Sequence, residues 1–412
     1  MVKPIVQDKG MDHTIDFLRD GYFYFSKRMN EYQEDVIGSR IFGRKLVMLR
    51  AEEAADLVKD TAKFKPEKSI FELSTSLLRE ENGLFYLADI NHHQEKAWFQ
   101  EVFSAEKREE LEAIIRQRWE ERIEAWKINP SIDFVTEMEE MWVIAVCNWL
   151  GIPIRANNLK QRTTDIQEFV QLFSKYGFNR WKRKQAKNRM EKWLVFLVRQ
   201  LRAGRIHVDE EKILSKLAWY EDESGQILQT GKVVQELLLL IRTFAASSRW
   251  VVFCQIALLE NPGLRDRLQV DHQYVDCFIH EVIRYYSITP FAVAKTQEQL
   301  FWKDMFFDKN QLVLFDIHGA NHHPDKWLQP DLFQPDRFLD ILPDFGEGAA
   351  KELASANENI TMQLMKVSLS YLLRTDWIAP NQTFTCSGTE IPARPKNGMP
   401  LDFYHQSFVE DM

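Results

Sequence analysis

The sequence predicts a mainly α-helical protein with small β-sheets, for three reasons. The stretch Val233–Glu260 contains no Gly or Pro and is apolar on nearly every side, which is typical of a helix enclosed by other helices. Helical periodicity also fills most of residues 92–203. Strand signals are confined to three short regions, 41–50, 287–316 and the C-terminal residues after 374. No internal repeat or low-complexity linker interrupts these patterns, so we predict a single domain that spans residues 1–412.

In chain order, the pattern begins with an amphipathic helix over 11–30, a strand over 41–50 and the start of a helix over 51–60. Further helices are predicted over 92–128, 133–150, 158–175 and 181–203. The central helix follows, about 40 Å long, and Asn261-Pro262-Gly263 ends it. After it come a helix over 273–286, short strands with turns over 287–316, a Pro- and Asp-rich meander over 321–338 and a helix over 359–374.

Composition excludes several classes of function. The net charge of −8 argues against a nucleic-acid or anionic-membrane surface. No stretch suits a bilayer, because even the central helix carries two arginines, and the N-terminus lacks the apolar core of a signal peptide. Four widely spaced cysteines give neither a disulfide framework nor a zinc pattern: Cys147, Cys254, Cys277 and Cys386. We therefore predict buried, reduced thiols in a cytoplasmic protein.

Arg242 is the first candidate functional residue, because a guanidinium group in an apolar helix core needs an anion. Between Glu236 and the end of the central helix, Arg242 and Arg249 are the only basic side chains. They stand seven residues apart, with Gln235 seven residues earlier, so the three share one narrow stripe. The anion is either a fixed carboxylate of the protein, in a structural ion pair, or the carboxylate of a ligand.

Two short motifs place one carboxylate and two arginines in an informative order. Glu281-Val282-Ile283-Arg284 puts Glu281 and Arg284 on one helical face, and Pro335-Asp336-Arg337-Phe338 adds Arg337. E-x-x-R followed by P-x-R-F resembles the structural triad of the cytochrome P450 fold. The resemblance to the bacterial fatty-acid peroxygenase and decarboxylase branch covers nearly the whole chain, through DKGMDHTIDFLRDGYFYFSKR, DINHHQEKAWF, VLFDIHGANHHPDKW and QLMKVSLSYLL.

The resemblance implies an oxidoreductase that uses hydrogen peroxide directly, needs no redox partner and acts on long-chain fatty acids. In that branch the central helix carries Arg-Pro, and the arginine holds the substrate carboxylate, which serves as the acid–base catalyst for peroxide. The matching pair is Arg242-Thr243, so we predict both as catalytic and Arg242 as the substrate anchor. Because the proline is missing, we expect a straighter helix and a displaced anion site. The other predicted substrate contacts are Phe85, Tyr86, Pro290 and Phe291.

The chain departs from this branch at the haem ligand. The branch's axial cysteine lies in a loop that ends H-R-C-P-G-E, just before a helix with a Met-Lys pair. Counted back without gaps from Met365-Lys366, Ser355 falls on the cysteine, and Leu353-Ala354 and Ala356-Asn357 fall on the flanking pairs. A thiolate donates electron density that favours O–O cleavage, whereas a serine hydroxyl is a weak, neutral ligand at pH 7.

Other parts of the branch's haem site are altered as well. An arginine that contacts a haem propionate corresponds to Pro66, and the H-x-x-R-K pattern of the haem-facing helix is only partly present. If haem b is bound, the predicted contacts are Ser355, as a weak metal ligand, with His92, His93 and Lys96. The altered loop argues against haem, and the sequence indicates no other cofactor.

Three functions remain open at this point. The first is a divergent P450-fold enzyme, without a haem–thiolate centre, that acts on a carboxylate-bearing small molecule such as a fatty or amino acid derivative held by Arg242. The second is a haem-binding, peroxygenase-like oxidoreductase whose iron is ligated by Ser355 or water. The third is a catalytically silent protein that retains the acid-binding pocket.

Three other groups carry alternatives. His318, His322 and His323 suggest a metal site, but loop histidines that bond to the backbone explain them as well. Arg249 is predicted to form a structural ion pair, with a second clamp for a diacidic ligand as the alternative. The basic stretch 180–193 (RWKRKQAKNRMEKW) is either a solvated face or a docking surface for an acidic carrier protein.

Overall fold

Long helices dominate the part of the chain that the computed structural model describes, and the predicted mainly α class with small sheets is confirmed. The described residues are 3–50, 63–66, 102, 104–171, 178–221, 225–288, 290–340, 356–379, 384, 386, 388–391 and 393–404. The helices are α1 Thr14–Asp20, α2 Phe23–Tyr32, α3 Ala105–Ile128, α4 Phe134–Leu150, α5 Ala156–Val170, α6 Phe178–Arg202, α7 Ile213–Ala218, α8 Thr230–Ala246, α9 Ser248–Glu260, α10 Leu264–Val270, α11 His272–Tyr286, α12 Ile317–Asn321 and α13 Ala356–Leu372.

The strands form three sheets. They are β1 Val6–Gln7, β2 Val36–Ile41, β3 Arg44–Leu49, β4 Phe64–Pro66, β5 Ser131–Asp133, β6 Phe291–Thr296, β7 Leu300–Trp302, β8 Met305–Phe307, β9 Leu312–Asp316, β10 Asp376–Ile378 and β11 Pro400–Tyr404. The largest sheet has the order β1-β2-β3-β9-β6-β4, with β3 parallel to β9. The others have the orders β10-β11-β5 and β7-β8.

Two predicted elements in the N-terminal region are each divided by a turn. The strand expected over 41–50 is the second half of a hairpin, because the chain turns at Phe42-Gly43, where both φ angles are positive. The helix expected over 11–30 is broken at Gly21, whose φ is 63°. A Cβ atom at Gly21 would lie 1.9 Å from the carbonyl oxygen of Gly388. Only glycine fits there, and the C-terminal segment closes over the break.

The central helix predicted over Val233–Glu260 is present but is interrupted once, at Ser247, which separates α8 from α9. The Ser247 Oγ donates to the carbonyl of Phe244 (2.6 Å) and accepts a hydrogen bond from Trp142 Nε1 (2.7 Å). The Ser247 N–H bonds to the Phe244 carbonyl, three residues back, in the pattern of a 3₁₀ turn. Adjacent serines that bond back to the helix backbone are a known cause of such irregularities.

We expect Ser247→Ala to lower the free energy of unfolding by about 1–3 kcal/mol, because it leaves the buried Trp142 N–H without its acceptor. Urea denaturation measures this loss. The matched control is Ser248→Ala, since Ser248 is equally buried but its hydroxyl bonds only to the Ala245 carbonyl. Equal losses from the two substitutions would show that the Trp142 bond does not stabilise the break.

Apolar side chains enclose the central helix on most sides. Within the described ranges, one helical span, Thr230–Glu260, is long and apolar enough to cross a membrane. The most apolar stretch of this span is 89% buried inside the protein, as is typical of a core helix. This burial agrees with the enclosed helix that the sequence predicts. The cytoplasmic location stays a prediction.

Candidate functional site

Arg242 lies deep inside the helical core. It belongs to α8 and is 2% exposed. Its Cζ stands 5.9 Å from the centre of the Phe169 ring, which α5 contributes. Phe244, further along α8, packs edge-on against Trp149 of α4 with 4.8 Å between ring centres. The guanidinium group therefore lies against an aromatic ring between α5 and α8, where a charge is costly unless an anion offsets it.

A stripe of partial exposure runs along the central helix beside Arg242. Thr243 and Trp250 both have intermediate exposure, and Leu239 and Ala246 on the same side are buried, with 6% and 7% of their surface exposed. These positions recur every three or four residues, so they face one direction. The centre of the stripe lies about 70° around the helix axis from Arg242. Thr243 therefore keeps part of its surface accessible, and Arg242 lies beside that face.

Arg249 is held by side chains of the protein. Its Nη1 lies 2.5 Å from Glu139 Oε1, and its Nη2 donates to Gln167 Oε1 at 3.0 Å. All three residues are buried. Burial lowers the pKa of Arg249, and the charge of Glu139 acts in the opposite direction. The structural ion pair explains Arg249, and a second clamp for a diacidic ligand gains no support because the guanidinium is already engaged.

Glu281, Arg284 and Arg337 form the network that their motifs predict. Arg284 donates to both carboxylate oxygens of Glu281, at 2.7 and 2.8 Å, and Arg337 Nε donates to Oε1 at 3.2 Å. Glu281 is 0% exposed. The remaining donors of Arg284 reach the carbonyls of Asn321, Pro330 and Leu332. The network fixes the meander after α12 to α11, so its role is structural.

Two of the predicted substrate contacts, Pro290 and Phe291, follow α11, and they have different surroundings. Phe291 is 0% exposed, and its ring packs edge-on against Phe25 at 5.1 Å between centres. A side chain that lined a ligand cavity would keep some accessible surface, so the structure gives Phe291 a core role in place of the predicted substrate contact. Pro290 is buried, and its carbonyl accepts the N–H of His318 at 2.9 Å. Its contact with substrate stays a prediction.

Of the three histidines, His322 has the backbone hydrogen bond that the second interpretation expects, and the ring of His323 contacts a carboxylate. His322 Nδ1 lies 3.0 Å from the carbonyl of His318, and His323 Nε2 lies 3.3 Å from Asp35 Oδ1. Burial lowers the pKa of His318 to about 3, so this ring is neutral. Among the described residues, no three His, Cys, Asp or Glu side chains come together as a metal site would require.

The positions that bear on haem are only partly described. Six predicted site residues lie outside the described residues: Phe85, Tyr86, His92, His93, Lys96 and Ser355. Pro66 is described, and it pairs with Ala294 in the antiparallel ladder of β4 and β6. Proline offers a propionate neither a positive charge nor an N–H donor.

All four cysteines are described, and each is packed by neighbouring side chains. Cys147, Cys254 and Cys277 lie in helices and are at most 2% exposed. Cys386 is partly buried and forms a β-bridge with Pro395. Burial raises the pKa of the Cys147 and Cys386 thiols to about 12. The segment 341–355, which precedes α13, contains no cysteine.

Sequence reasoning missed two parts of this region. The partners of Arg249 come from helices about 80 and 110 positions earlier in the chain, and no local pattern connects them. The break at Ser247 depends on Trp142 of α4, although the pair Ser247-Ser248 in an apolar helix was a visible signal for it.

Comparison with known proteins identifies the architecture. The family model for cytochrome P450 matches residues 263–342, which include the Glu281 network. The ligand-free structure of cytochrome P450 OleT superimposes with a TM-score of 0.84 at 22% identity, over 98% of this chain and 100% of that one. This chain has the cytochrome P450 fold.

Other relatives of this P450-fold chain agree. Cytochrome P450EX alpha (CYP152N1), solved with myristic acid, has a TM-score of 0.82 at 24% identity and covers 98% of this chain and 100% of its own. Cytochrome P450SP alpha (CYP152B1), solved with (R)-ibuprophen, has a TM-score of 0.80 at 24% identity, with coverages of 95% and 98%. At these identities the likeness establishes the fold alone.

Curated relatives match shorter segments. The probable cytochrome P450 6a13 of Drosophila melanogaster is 25% identical over 206 residues, which is 42% of this chain and 38% of that protein. Cytochrome P450 1A2 of Cavia porcellus is 35% identical over 79 residues, 19% of this chain and 15% of that protein. The matches thus span less than two fifths of these relatives' length.

Proposed function

We propose that this protein is a divergent P450-fold enzyme that acts on a carboxylate-bearing small molecule, such as a fatty or amino acid derivative. Arg242 anchors the carboxylate, Thr243 faces the bound molecule, and no haem–thiolate centre takes part. The observation that carries the proposal is the burial of Arg242 against an aromatic ring beside the partly exposed face of α8. A guanidinium group there favours an anionic ligand strongly, because the surroundings are poorly solvated.

The ligands of two fold relatives support a carboxylate. One relative was solved with myristic acid and another with (R)-ibuprophen, and both compounds are carboxylic acids. They share an acid group and an apolar body. A buried arginine beside apolar side chains suits that combination, since the apolar body can pack on these side chains and the acid group meets the charge.

The cysteines and Pro66 support the absence of haem–thiolate chemistry. In the resembled branch the ligand precedes the helix that corresponds to α13, and residues 341–355 hold no cysteine. Cys147, Cys254 and Cys277 are enclosed by core side chains, and Cys386 forms a β-bridge with Pro395 on the C-terminal side of α13. The residues present therefore do not fit a haem–thiolate site.

Haem titration of the purified protein tests this part of the proposal. We expect no carbon monoxide difference band of the thiolate type after haem is added, because no thiolate is available to the iron. A thiolate-type band at stoichiometric haem would contradict the proposal. Haem binding without that band would favour the alternative with Ser355 or water as ligand. Ser355→Cys is the matched variant, and a thiolate-type band in it alone would support the assignment of Ser355 to the ligand position.

A product assay separates an enzyme from a silent binding protein. The protein is incubated with myristic acid, with and without hydrogen peroxide, and formation of any product excludes the silent protein. The basic helix α6 offers a surface for an acidic carrier protein, but an acyl chain bound to a carrier is a different ligand from the free acid proposed here. A thioester has no ionised carboxylate, so a carrier-bound chain would not engage Arg242 as the free acid does.

A further inference from the structure

Helix α6 concentrates positive charge on an acidic protein. Over Phe178–Arg202 it carries nine lysines and arginines and one acidic residue, Glu191. Its formal charge is therefore +8, while the whole chain carries −8 and the remaining residues −16. Helices that are merely solvated usually mix charges of both signs. Such a separation of charge calls for a reason beyond solubility.

Only part of this charge is used to hold the fold together. Arg189 forms an ion pair with Asp165, which is 0% exposed, and Arg202 donates to the carbonyls of Ala218 and Leu228. Four other basic side chains are exposed and have no ion pair with any residue that the structure describes: Lys182, Lys184, Lys192 and Arg199. These four are available to a partner.

Two large aromatic side chains share the exposed side of α6. Trp181 is 66% exposed and Phe196 is 57% exposed. With the four exposed cations they lie within an arc of about 160° and along about 27 Å of the helix. Exposed aromatic rings and arginine are enriched at protein–protein interfaces, and lysines around them steer an oppositely charged partner. We name this set, Trp181, Lys182, Lys184, Lys192, Phe196 and Arg199, the α6 face.

We propose that the α6 face is the docking surface for an acidic protein partner. Charge complementarity selects the partner, since a row of carboxylates would meet the four cations along the helix. A membrane surface fits less well, because the apolar side of α6 is already buried through Ala186, Met190, Leu194 and Val198. The two exposed rings stand about 22 Å apart with Lys192 between them, so no continuous apolar face is left to enter lipid.

The inference extends the proposed function but does not depend on Arg242. The experiment uses the full-length protein and, as its probe, a purified acidic acyl carrier protein in its apo form. Its affinity is measured by fluorescence anisotropy at low and moderate salt. The test variant combines Lys182→Glu, Lys184→Glu and Lys192→Glu, which keep good helix formers in place. The control combines Lys9→Glu, Lys45→Glu and Lys309→Glu, which are equally exposed and change the net charge equally.

We expect saturable binding that weakens as salt rises. The test variant should weaken it by at least about tenfold and the control by less than about twofold. Trp181→Ala should weaken binding as well, with little dependence on salt. No saturable binding of the carrier protein, or equal losses in test and control variants, would overturn the proposal. The proposal would also be overturned if phosphatidylglycerol vesicles or duplex DNA bound more tightly than the carrier protein and the test variant lost that binding. Arg242→Ala is expected to leave carrier binding unchanged, so this inference and the proposed function fail separately.

Discussion

Replacing Glu281 by alanine is expected to lower the free energy of unfolding by about 3–5 kcal/mol, or to prevent folding. The substitution removes the carboxylate that Arg284 and Arg337 share and leaves two guanidinium groups in a buried site. It also removes the acceptor of the Gln334 N–H, which bonds to Glu281 Oε1 at 2.7 Å. Urea denaturation followed by circular dichroism measures the loss.

Asp276→Ala is the control for this prediction. Asp276 lies on the same helix, five residues before Glu281, and forms an ion pair with Lys366 at the surface, where both side chains are more than 40% exposed. We expect that substitution to change stability by no more than about 1 kcal/mol. Glu281→Gln should fall between the two, because the amide keeps the volume and one acceptor but loses the charge. Similar stabilities for Glu281→Ala and Asp276→Ala would show that the buried network does not hold the meander on α11.

The sequence was sufficient for the features that are local or have a fixed order along the chain. The apolar pattern of Val233–Glu260 predicted an enclosed central helix, and E-x-x-R followed by P-x-R-F predicted which three charged residues would meet. For the helix and for the pair Glu281–Arg284 the physical reason is short-range, whereas Arg337, far along the chain, was predicted from the resemblance to the P450 triad. A helix that is apolar on all sides must be surrounded, and an arginine three residues after a glutamate faces it on the helix.

Features that depend on distant elements could not be predicted. Ser247 interrupts the central helix because Trp142 of α4 donates to its hydroxyl, and Arg249 is neutralised by Glu139. Phe291 looked like a cavity residue from its place after α11, but its ring turns toward Phe25 in the core beneath the sheet. Each outcome was decided by packing between helices and strands that are far apart in sequence.

Replacing Arg242 by alanine is expected to weaken the binding of a free long-chain acid by about 30-fold or more. The estimate corresponds to at least about 2 kcal/mol for loss of one partner of a buried charge pair. The apolar body of the ligand should still bind, because Phe169 and the other apolar walls remain. Arg242→Met, which keeps more of the side-chain volume, should show the same loss. Arg242→Lys should lose less, since it keeps the charge but not the two-pronged geometry. Unchanged thermal melting would show that these variants are folded.

The most direct test of the account compares myristic acid with its methyl ester on the native protein and on Arg242→Ala, by isothermal titration calorimetry. If Arg242 anchors a carboxylate, the native protein binds the acid at least about tenfold more tightly than the ester. In the variant this preference disappears, while affinity for the ester changes little. Equal affinities of the native protein for acid and ester, or a preference for the acid that survives in Arg242→Ala, would contradict the account.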